Sequence, residues 1–220
     1  MIQKICTIEE IDCSMLTFQQ PVARNNSGKF IYFYHNKTPL FIQTPLLYTP
    51  FGLSNYDDRY SLNVSLSDAS FLKTIQDIEN KIIDEAHSKS WLRDKTSREV
   101  VAELFSSSIK YPNSGNYSPT LRLSAPFKDN KFDFETYVKK QISVDETEIV
   151  AIDNFNKDSL PKGSKIMAIL QCSTIWIAGN KFGCTFKIKQ LMMTSEGSNT
   201  RVNAFSNYAF IDDVDDDDKE

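Results

Sequence analysis

The sequence predicts a mainly β protein with inserted α-helices. Short segments that alternate apolar and polar residues, separated by turns rich in Gly, Pro and Asn, recur along most of the chain. One region after Asp68 instead places apolar residues at steps of three and four, as a helix does. With 220 residues and 40% hydrophobic content the chain is long enough for a proper core. We expect one β-rich domain over residues 1–211 and an acidic tail over residues 212–220.

The first half is predicted to hold strands. Residues 29–35 are aromatic and β-branched, and residues 39–43 follow across a short polar link, which is typical of a hairpin. Residues 44–52 are interrupted by Pro and Gly and predict an ordered connection. Residues 60–66 alternate cleanly and predict a half-exposed strand.

Helices are predicted next, and strands return after them. Asp68 is a natural N-cap for the first helix. Its apolar stripe consists of Phe71, Leu72, Ile75, Ile78, Ile82 and Ile83. A shorter helix is expected over residues 97–105, capped by Thr96 or Ser97. Short alternating segments at 120–125, 132–138 and 148–152 then predict further strands.

A long antiparallel hairpin is predicted over residues 165–193, with Gly179-Asn180 as its two-residue turn. That turn fixes the pairs Ile177 with Phe182, Trp176 with Gly183, Thr174 with Thr185, and Cys172 with Lys187. The core face then carries Ile175, Ile177, Phe182, Cys184, Phe186 and Ile188. The opposite face carries Thr174, Trp176, Lys181, Thr185, Lys187 and Lys189.

The opposite face of this hairpin has the residue types that bind single-stranded nucleic acid. A tryptophan opposite a glycine leaves the indole room to lie over the backbone, and lysines follow along the neighbouring strand. Such binders combine aromatic stacking with cations that follow the phosphates. Two alternatives stay open: Trp176 is a core residue and the lysines are an ordinary solvated face, or a one-residue slip exchanges the faces.

Other aromatic and basic residues either add to the predicted nucleic-acid-binding surface or do not support it. Tyr32 and Tyr34, with Phe30, form a second aromatic row that either adds to a stacking surface or packs in the core. Lys165 begins the hairpin and adds a further cation. Scattered arginines do not converge on one site in the sequence.

Motifs for catalysis or metal binding do not emerge from the sequence. The four cysteines include no C-x-x-C pair, and there are two histidines, so we expect free buried thiols and no metal site. The predicted register puts Cys172 and Cys184 on opposite faces, which predicts no disulfide between them. The sequence has no Gly-Lys-Ser phosphate loop and no Gly-x-Ser-x-Gly motif, and Asp57-Asp58 fits an exposed turn better than a metal contact. We expect a protein that is not an enzyme and needs no cofactor.

Charge is segregated along the chain. The formal net charge is -4, and residues 212–220 contribute -6 of it, which leaves +2 on residues 1–211. The acids of the tail are Asp212, Asp213, Asp215, Asp216, Asp217, Asp218 and Glu220. This pattern favours a body that meets a polyanion and a tail that competes for it or recruits a basic partner, although a tail that only aids solubility is the alternative. Residues 1–10 lack the pattern of a secretory signal, so we expect an intracellular protein with no membrane partner.

Several short motifs resemble a known family. They are Gln43-Thr44-Pro45, Pro50-Phe51-Gly52-Leu53, residues 60–66, the helix with Phe71 and Ile75, residues 169–176, and Lys181-Phe182-Gly183-Cys184-Thr185-Phe186-Lys187. Together they resemble the single-stranded DNA-binding proteins of large nucleocytoplasmic DNA viruses, which are related to those of short-tailed phages. The likeness covers roughly residues 39–193.

The resemblance implies an oligonucleotide-binding (OB) fold, a five-stranded barrel, with added strands and an inserted helix. It implies a protein that coats single-stranded DNA in viral replication, recombination or repair, located in a cytoplasmic viral factory or the nucleus, with packaging in the virion left open. It also implies an acidic tail that competes with DNA or binds a viral DNA polymerase, helicase or primase, and a homodimer is left open. In contrast to the phage tails, this one ends in Lys219-Glu220 and not in an aromatic residue. The alternative function is a structural or scaffolding protein of the virion.

Overall fold

The computed structural model describes residues 4–24, 28–57, 59–92, 96–142 and 146–195. The acidic tail predicted at residues 212–220 lies outside these residues, as does Asp58. Among the described residues, no helix is long and apolar enough to span a membrane.

Strands and two helices make up the described chain, and their order confirms the mainly β class with inserted helices. The strands are β1 (Leu16–Phe18), β2 (Val22–Ala23), β3 (Lys29–His35), β4 (Leu40–Gln43), β5 (Leu47–Thr49), β6 (Leu53–Tyr56), β7 (Arg59–Ser65), β8 (Ile109–Lys110), β9 (Thr120–Ala125), β10 (Phe127–Lys128), β11 (Lys131–Phe132), β12 (Glu135–Gln141), β13 (Thr147–Ala151), β14 (Ser164–Cys172), β15 (Thr174–Ala178), β16 (Lys181–Cys184) and β17 (Phe186–Ser195). The helices are α1 (Ala69–Ser88) and α2 (Arg98–Leu104). As predicted, the Asp68 side chain caps α1 by accepting a hydrogen bond from the Phe71 backbone N–H at 2.7 Å.

A large sheet is organised around β17. Its hydrogen-bonded path runs β13-β12-β17-β9-β7-β6, and β14 also pairs with β17, β4 and β5. Strands β5, β14, β17, β9 and β7 thus follow one another around a curved wall, and Cα atoms of β5 and β7 approach within 8 Å. No ladder joins β5 to β7 in the described part of the chain, so this barrel-like wall stays open there.

A smaller sheet has the order β1-β3-β15-β16, with β2 also paired to β3. The predicted long hairpin is therefore divided between two sheets. Its tip, β15 and β16, belongs to the small sheet, and its base, β14 and β17, belongs to the large one. The division falls at Ser173, whose carbonyl accepts the Phe33 backbone N–H at 3.1 Å.

The predicted register of the hairpin is confirmed at its tip and wrong at its base. Ile177 faces Phe182 and Trp176 faces Gly183, as predicted. Lys187, however, pairs with Gln171 and not with Cys172, and the ladder shifts again between Ile169 and Leu170. The cause is that the strands break at Ser173 and Thr185, so the pairing does not continue unchanged from the turn. The predicted pair of Thr174 with Thr185 does not form, because the ladder between β15 and β16 ends at the pair of Ile175 with Cys184.

Two predictions for residues 29–52 are corrected. The turn after β3 forms, and the His35 backbone N–H donates to Thr38 O at 2.8 Å, but β4 leaves the hairpin and pairs with β14. Residues 44–52 were predicted to be a connection, yet they contain β5, which also pairs with β14. This short strand forms because Leu47 and Thr49 point into the core while Tyr48 points outward.

The main core lies between the two sheets and α1. Of the predicted stripe, Leu72 is only partly buried, and helix α1 buries the other five residues, Phe71, Ile75, Ile78, Ile82 and Ile83. The inner face of the small sheet contributes side chains such as Phe33 and Phe182, which are fully buried. Consequently the small sheet has one face against the core, and the side chains that alternate with the buried ones point away from it.

Candidate nucleic-acid interface

The outer face of the small sheet carries a row of aromatic side chains. Along β3, Ile31 and Phe33 are buried, and the alternate residues Phe30, Tyr32 and Tyr34 are exposed or half-buried. Trp176 of β15 pairs directly with Phe30, and Tyr32 pairs with Thr174. We call Phe30, Tyr32, Tyr34 and Trp176 the aromatic face. The structure therefore brings Tyr32, Tyr34 and Trp176, which were predicted separately, to one surface.

Trp176 is half-buried and lies over Gly183 of β16, as the sequence predicted. A Cβ at Gly183 would be 2.9 Å from Cζ2 and 3.2 Å from Cε2 of the indole. The same Cβ would be 2.8 Å from the Ser106 carbonyl oxygen. The indole and the segment at Ser106 thus occupy the space that any larger residue would need.

A groove of about 230 Å³ lies beside Tyr32 and Tyr34. Its lining consists of Tyr32, Tyr34, Pro39, Gln171, Ser173, Thr174, Thr185 and Lys187. Within the part of the chain that the structure describes, Lys187 is the one charged residue that lines this groove, and it is exposed. The Tyr34 hydroxyl accepts a hydrogen bond from Gln19 Nε2 at 3.3 Å, which helps to orient that ring. A groove of this kind offers flat apolar surface, hydroxyl and amide groups, and positive charge.

The predicted lysines are not gathered at this groove. Lys181 lies at the tip of the hairpin, and its Nζ donates to the Glu103 carbonyl at 3.1 Å. That carbonyl belongs to the last turn of α2, where a cation is favoured by the helix dipole. Lys189 is half-buried at the register shift of β17.

Lys165 lies at the far end of β14, where it pairs with Tyr48 of β5. It is six positions before Gln171, the β14 residue that lines the groove, which is roughly 20 Å along the strand. The structure therefore joins Lys187 to the aromatic face and separates Lys165 from it.

One cation at the aromatic face was not predicted. The Arg24 guanidinium carbon lies 5.6 Å from the centre of the Phe30 ring, within the range of a cation–π contact. The Arg24 backbone N–H donates to Gly28 O at 3.1 Å, and β2, which Arg24 follows, pairs with β3. In the sequence, Gly28 stands between an arginine and an aromatic strand. This pattern predicts that the chain reverses its direction there, but it does not predict which face of the sheet the arginine covers.

The cysteines and histidines do not form an evident reactive site in the structure. Burial raises the pKa of the Cys6 thiol, although His35 Nδ1 lies 3.9 Å from its Sγ. The Asp12 backbone N–H donates to His35 Nε2 at 3.3 Å. Among the described residues, no group of three or more His, Cys, Asp or Glu side chains is placed to hold a metal ion.

The prediction that Cys172 and Cys184 lie on opposite faces is wrong. Both thiols are buried in the main core, and the pKa of Cys172 is raised well above its ordinary value, first by burial and then by the neighbouring Cys184 thiol. The break at Ser173 changes the alternation, so that Cys172 and Ile175 both point inward.

Asp57 lies in the turn between β6 and β7 and has a positive φ of 51°.

Comparison with known proteins gives little to set beside this geometry. No protein-family model matches the chain, and no curated protein matches it. Among solved structures, the chain is similar to the crystal structure of gp2.5, a single-stranded DNA-binding protein encoded by bacteriophage T7. The identity is 13%, the TM-score is 0.40, and the match covers 76% of this chain and 90% of the phage chain. A TM-score of this size does not establish a shared fold, so the function is argued from the residues themselves.

Proposed function

We propose that this protein binds single-stranded DNA on the aromatic face of the small sheet. The observation that supports this most is the position of Tyr32 and Trp176. They lie on the sheet face opposite to the core, beside a groove whose one charged residue is Lys187. Single strands expose base rings and phosphates together, and proteins bind them with aromatic platforms flanked by cations.

Each group has a distinct role in this proposal. Tyr32 is 46% exposed and offers a ring to a base without any rearrangement. Trp176 presents the part of its indole that is not covered by Gly183 and its neighbours. Base stacking contributes roughly 1 to 3 kcal/mol for each base. Lys187 and Arg24 neutralise phosphates, which makes the affinity fall as salt rises.

The remaining predicted cations have secondary roles. Lys181 donates to the last turn of α2 and adds to the positive field at the tip of the hairpin. Lys189 is partly covered, and Lys165 lies at the far end of β14. These three lysines contribute long-range attraction more than direct contact at the aromatic face.

The biological setting that we infer is viral, and the protein acts by binding, without catalysis or a cofactor. In this setting it coats single strands exposed during replication, recombination or repair, in a viral factory or the nucleus of the host cell. The acidic residues 212–220 compete with DNA for the positive surface or bind a polymerase, helicase or primase. Their charge of -6 against +2 on the rest of the chain supports this role.

Binding of a labelled single-stranded oligonucleotide, measured by fluorescence anisotropy at low and high salt, tests the proposal. The full chain should bind, the affinity should fall with salt, and a chain that stops before Asp212 should bind more tightly. Duplex DNA of the same sequence is the control and should bind more weakly, because its bases are stacked within the helix. If neither form binds single strands, the proposal is wrong and a structural role in the virion becomes the leading alternative.

A further inference from the structure

A second aromatic surface lies toward the other end of β14, far from the aromatic face. Its rings belong to Tyr48, Phe51, Tyr111 and Tyr117, which are between 46% and 74% exposed. They line a groove of about 330 Å³, together with Pro50 and Pro112. We call it the distal groove. Exposed apolar surfaces of this kind mark places where a partner binds.

Three separate parts of the chain hold these rings in place. Tyr48 points outward from β5 because its neighbours Leu47 and Thr49 are buried. Tyr111 follows β8, and its hydroxyl accepts a hydrogen bond from Gln76 Nε2 of α1 at 2.7 Å. The groove is therefore built on a strand and braced by a helix.

The charges around the distal groove are positive. Among the described residues, Lys110 is the one charged side chain that lines the groove, and no acidic side chain lines it. Lys165, which is exposed, is the strand partner of Tyr48 and adds a second positive charge beside the groove. Flat rings with lysines around them fit a ligand that is both aromatic and anionic, which describes a nucleotide.

We propose that the distal groove binds bases of the same single strand that contacts the aromatic face. This inference rests on the proposed function and extends it, because it makes the protein a two-point clamp. On β14, Lys165 beside the distal groove is six positions from Gln171, which lines the groove beside the aromatic face, and this spacing is roughly 20 Å. A stacked strand advances about 3.4 Å per nucleotide, so about six nucleotides are needed to reach from one surface to the other.

Oligothymidylates of about 4 and about 16 nucleotides, the range of site sizes known for OB folds, test the clamp. The long strand reaches both surfaces, and the short one fills a single surface. Replacing Phe51 and Tyr117 together by Ala should weaken binding of the long strand at least about five-fold, the lower end of what one stacked base contributes. The advantage of the long strand over the short one should shrink in this variant.

Two control variants separate stacking from general damage. Tyr56→Ala removes a tyrosine that is 81% exposed on β6 and outside the lining of the groove, and it should bind like the parent protein. Tyr117→Phe keeps a ring and should also bind like the parent. If the double variant binds the long strand as tightly as the parent while Trp176→Ala weakens it, the distal groove is not a DNA site and the two-point clamp is wrong. If the parent binds no strand of either length, the proposed function itself has failed.

Discussion

The indole of Trp176 lies so close to Gly183 that a Cβ there would be 2.9 Å from the indole Cζ2. The same Cβ would be 2.8 Å from the Ser106 carbonyl oxygen, which belongs to the backbone and cannot easily move. Glycine at this position therefore sets how deeply the indole sits on the sheet. It also lets the segment at Ser106 run along β16, where the Ser106 backbone N–H donates to Phe182 O at 2.7 Å.

Gly183→Ala should destabilise the protein and move the indole. Overpacking of this kind costs about 1 to 3 kcal/mol of the free energy of unfolding, measured by urea denaturation. Gly115→Ala is the matched control, because a Cβ at Gly115 has nothing within 4 Å and should change stability little. Equal stabilities for the two variants would show that the contact between Trp176 and Gly183 is not tight.

Lys187→Gln should reduce the salt dependence of DNA binding. Each phosphate contact with a single strand contributes about 0.7 to the slope of log affinity against log salt, so this slope should fall by about that amount. Lys128→Gln is the control, since the Lys128 side chain is 78% exposed on β10 and lies outside the groove. If the slope is unchanged in the Lys187→Gln variant, Lys187 does not contact the DNA.

Glu79 makes the stability depend on pH in a direction opposite to that of most acidic residues. It is buried on α1, and burial raises its pKa above the ordinary value of 4.5 although Ser107 Oγ and the Ser108 N–H both donate to it. Because the folded state holds this proton more tightly than the unfolded state, ionisation costs stability. The loss begins as the pH rises above 4.5 and is complete above the folded-state pKa.

Glu79→Gln should remove this loss. The glutamine can accept from the Ser108 N–H and donate to Ser107 Oγ, so the geometry is kept without the charge. The free energy of unfolding of the variant, relative to that of the parent, should therefore increase as the pH is raised from about 4.5 to neutral. A difference that stays constant over this range would mean that Glu79 titrates normally.

Trp91→Phe should be tolerated. Trp91 is buried and packs on Phe18 with the ring centres 5.7 Å apart, and its Nε1 is buried with no hydrogen-bond partner among the described residues. Phenylalanine keeps an aromatic ring there and removes the unsatisfied N–H, so the cost should stay below about 1.5 kcal/mol. Trp91→Ala, which leaves a cavity, should cost about 3 to 5 kcal/mol. The stabilities of the two variants are compared by thermal unfolding.

Local sequence patterns predicted the parts of the structure that depend on neighbouring residues. The Gly179-Asn180 turn and strict alternation were enough to pair Trp176 with Gly183 and to separate the two faces of the hairpin tip. Asp68 was enough to place the start of α1. These features follow from turn chemistry and periodicity, which act over a few residues.

Features that depend on distant contacts could not be predicted in this way. The break at Ser173 arises because β15, the strand that follows β14 in the chain, pairs with β3. No residue pattern near Ser173 in the sequence predicts this change. Strand β5 forms between two prolines because β14 provides a partner for it. The distal groove joins Tyr48 to Tyr111 and Tyr117, which lie more than sixty residues later in the chain.

The most direct test of DNA binding on the aromatic face is the fluorescence of Trp176 itself. In a Trp91→Phe background Trp176 is the one remaining tryptophan of the chain, so its emission reports on that face. Titration with an unlabelled single-stranded oligonucleotide should quench this emission, and the quenching should weaken as salt is added. Binding that is seen by anisotropy but leaves the Trp176 emission unchanged would contradict stacking at this face and place the DNA elsewhere on the protein.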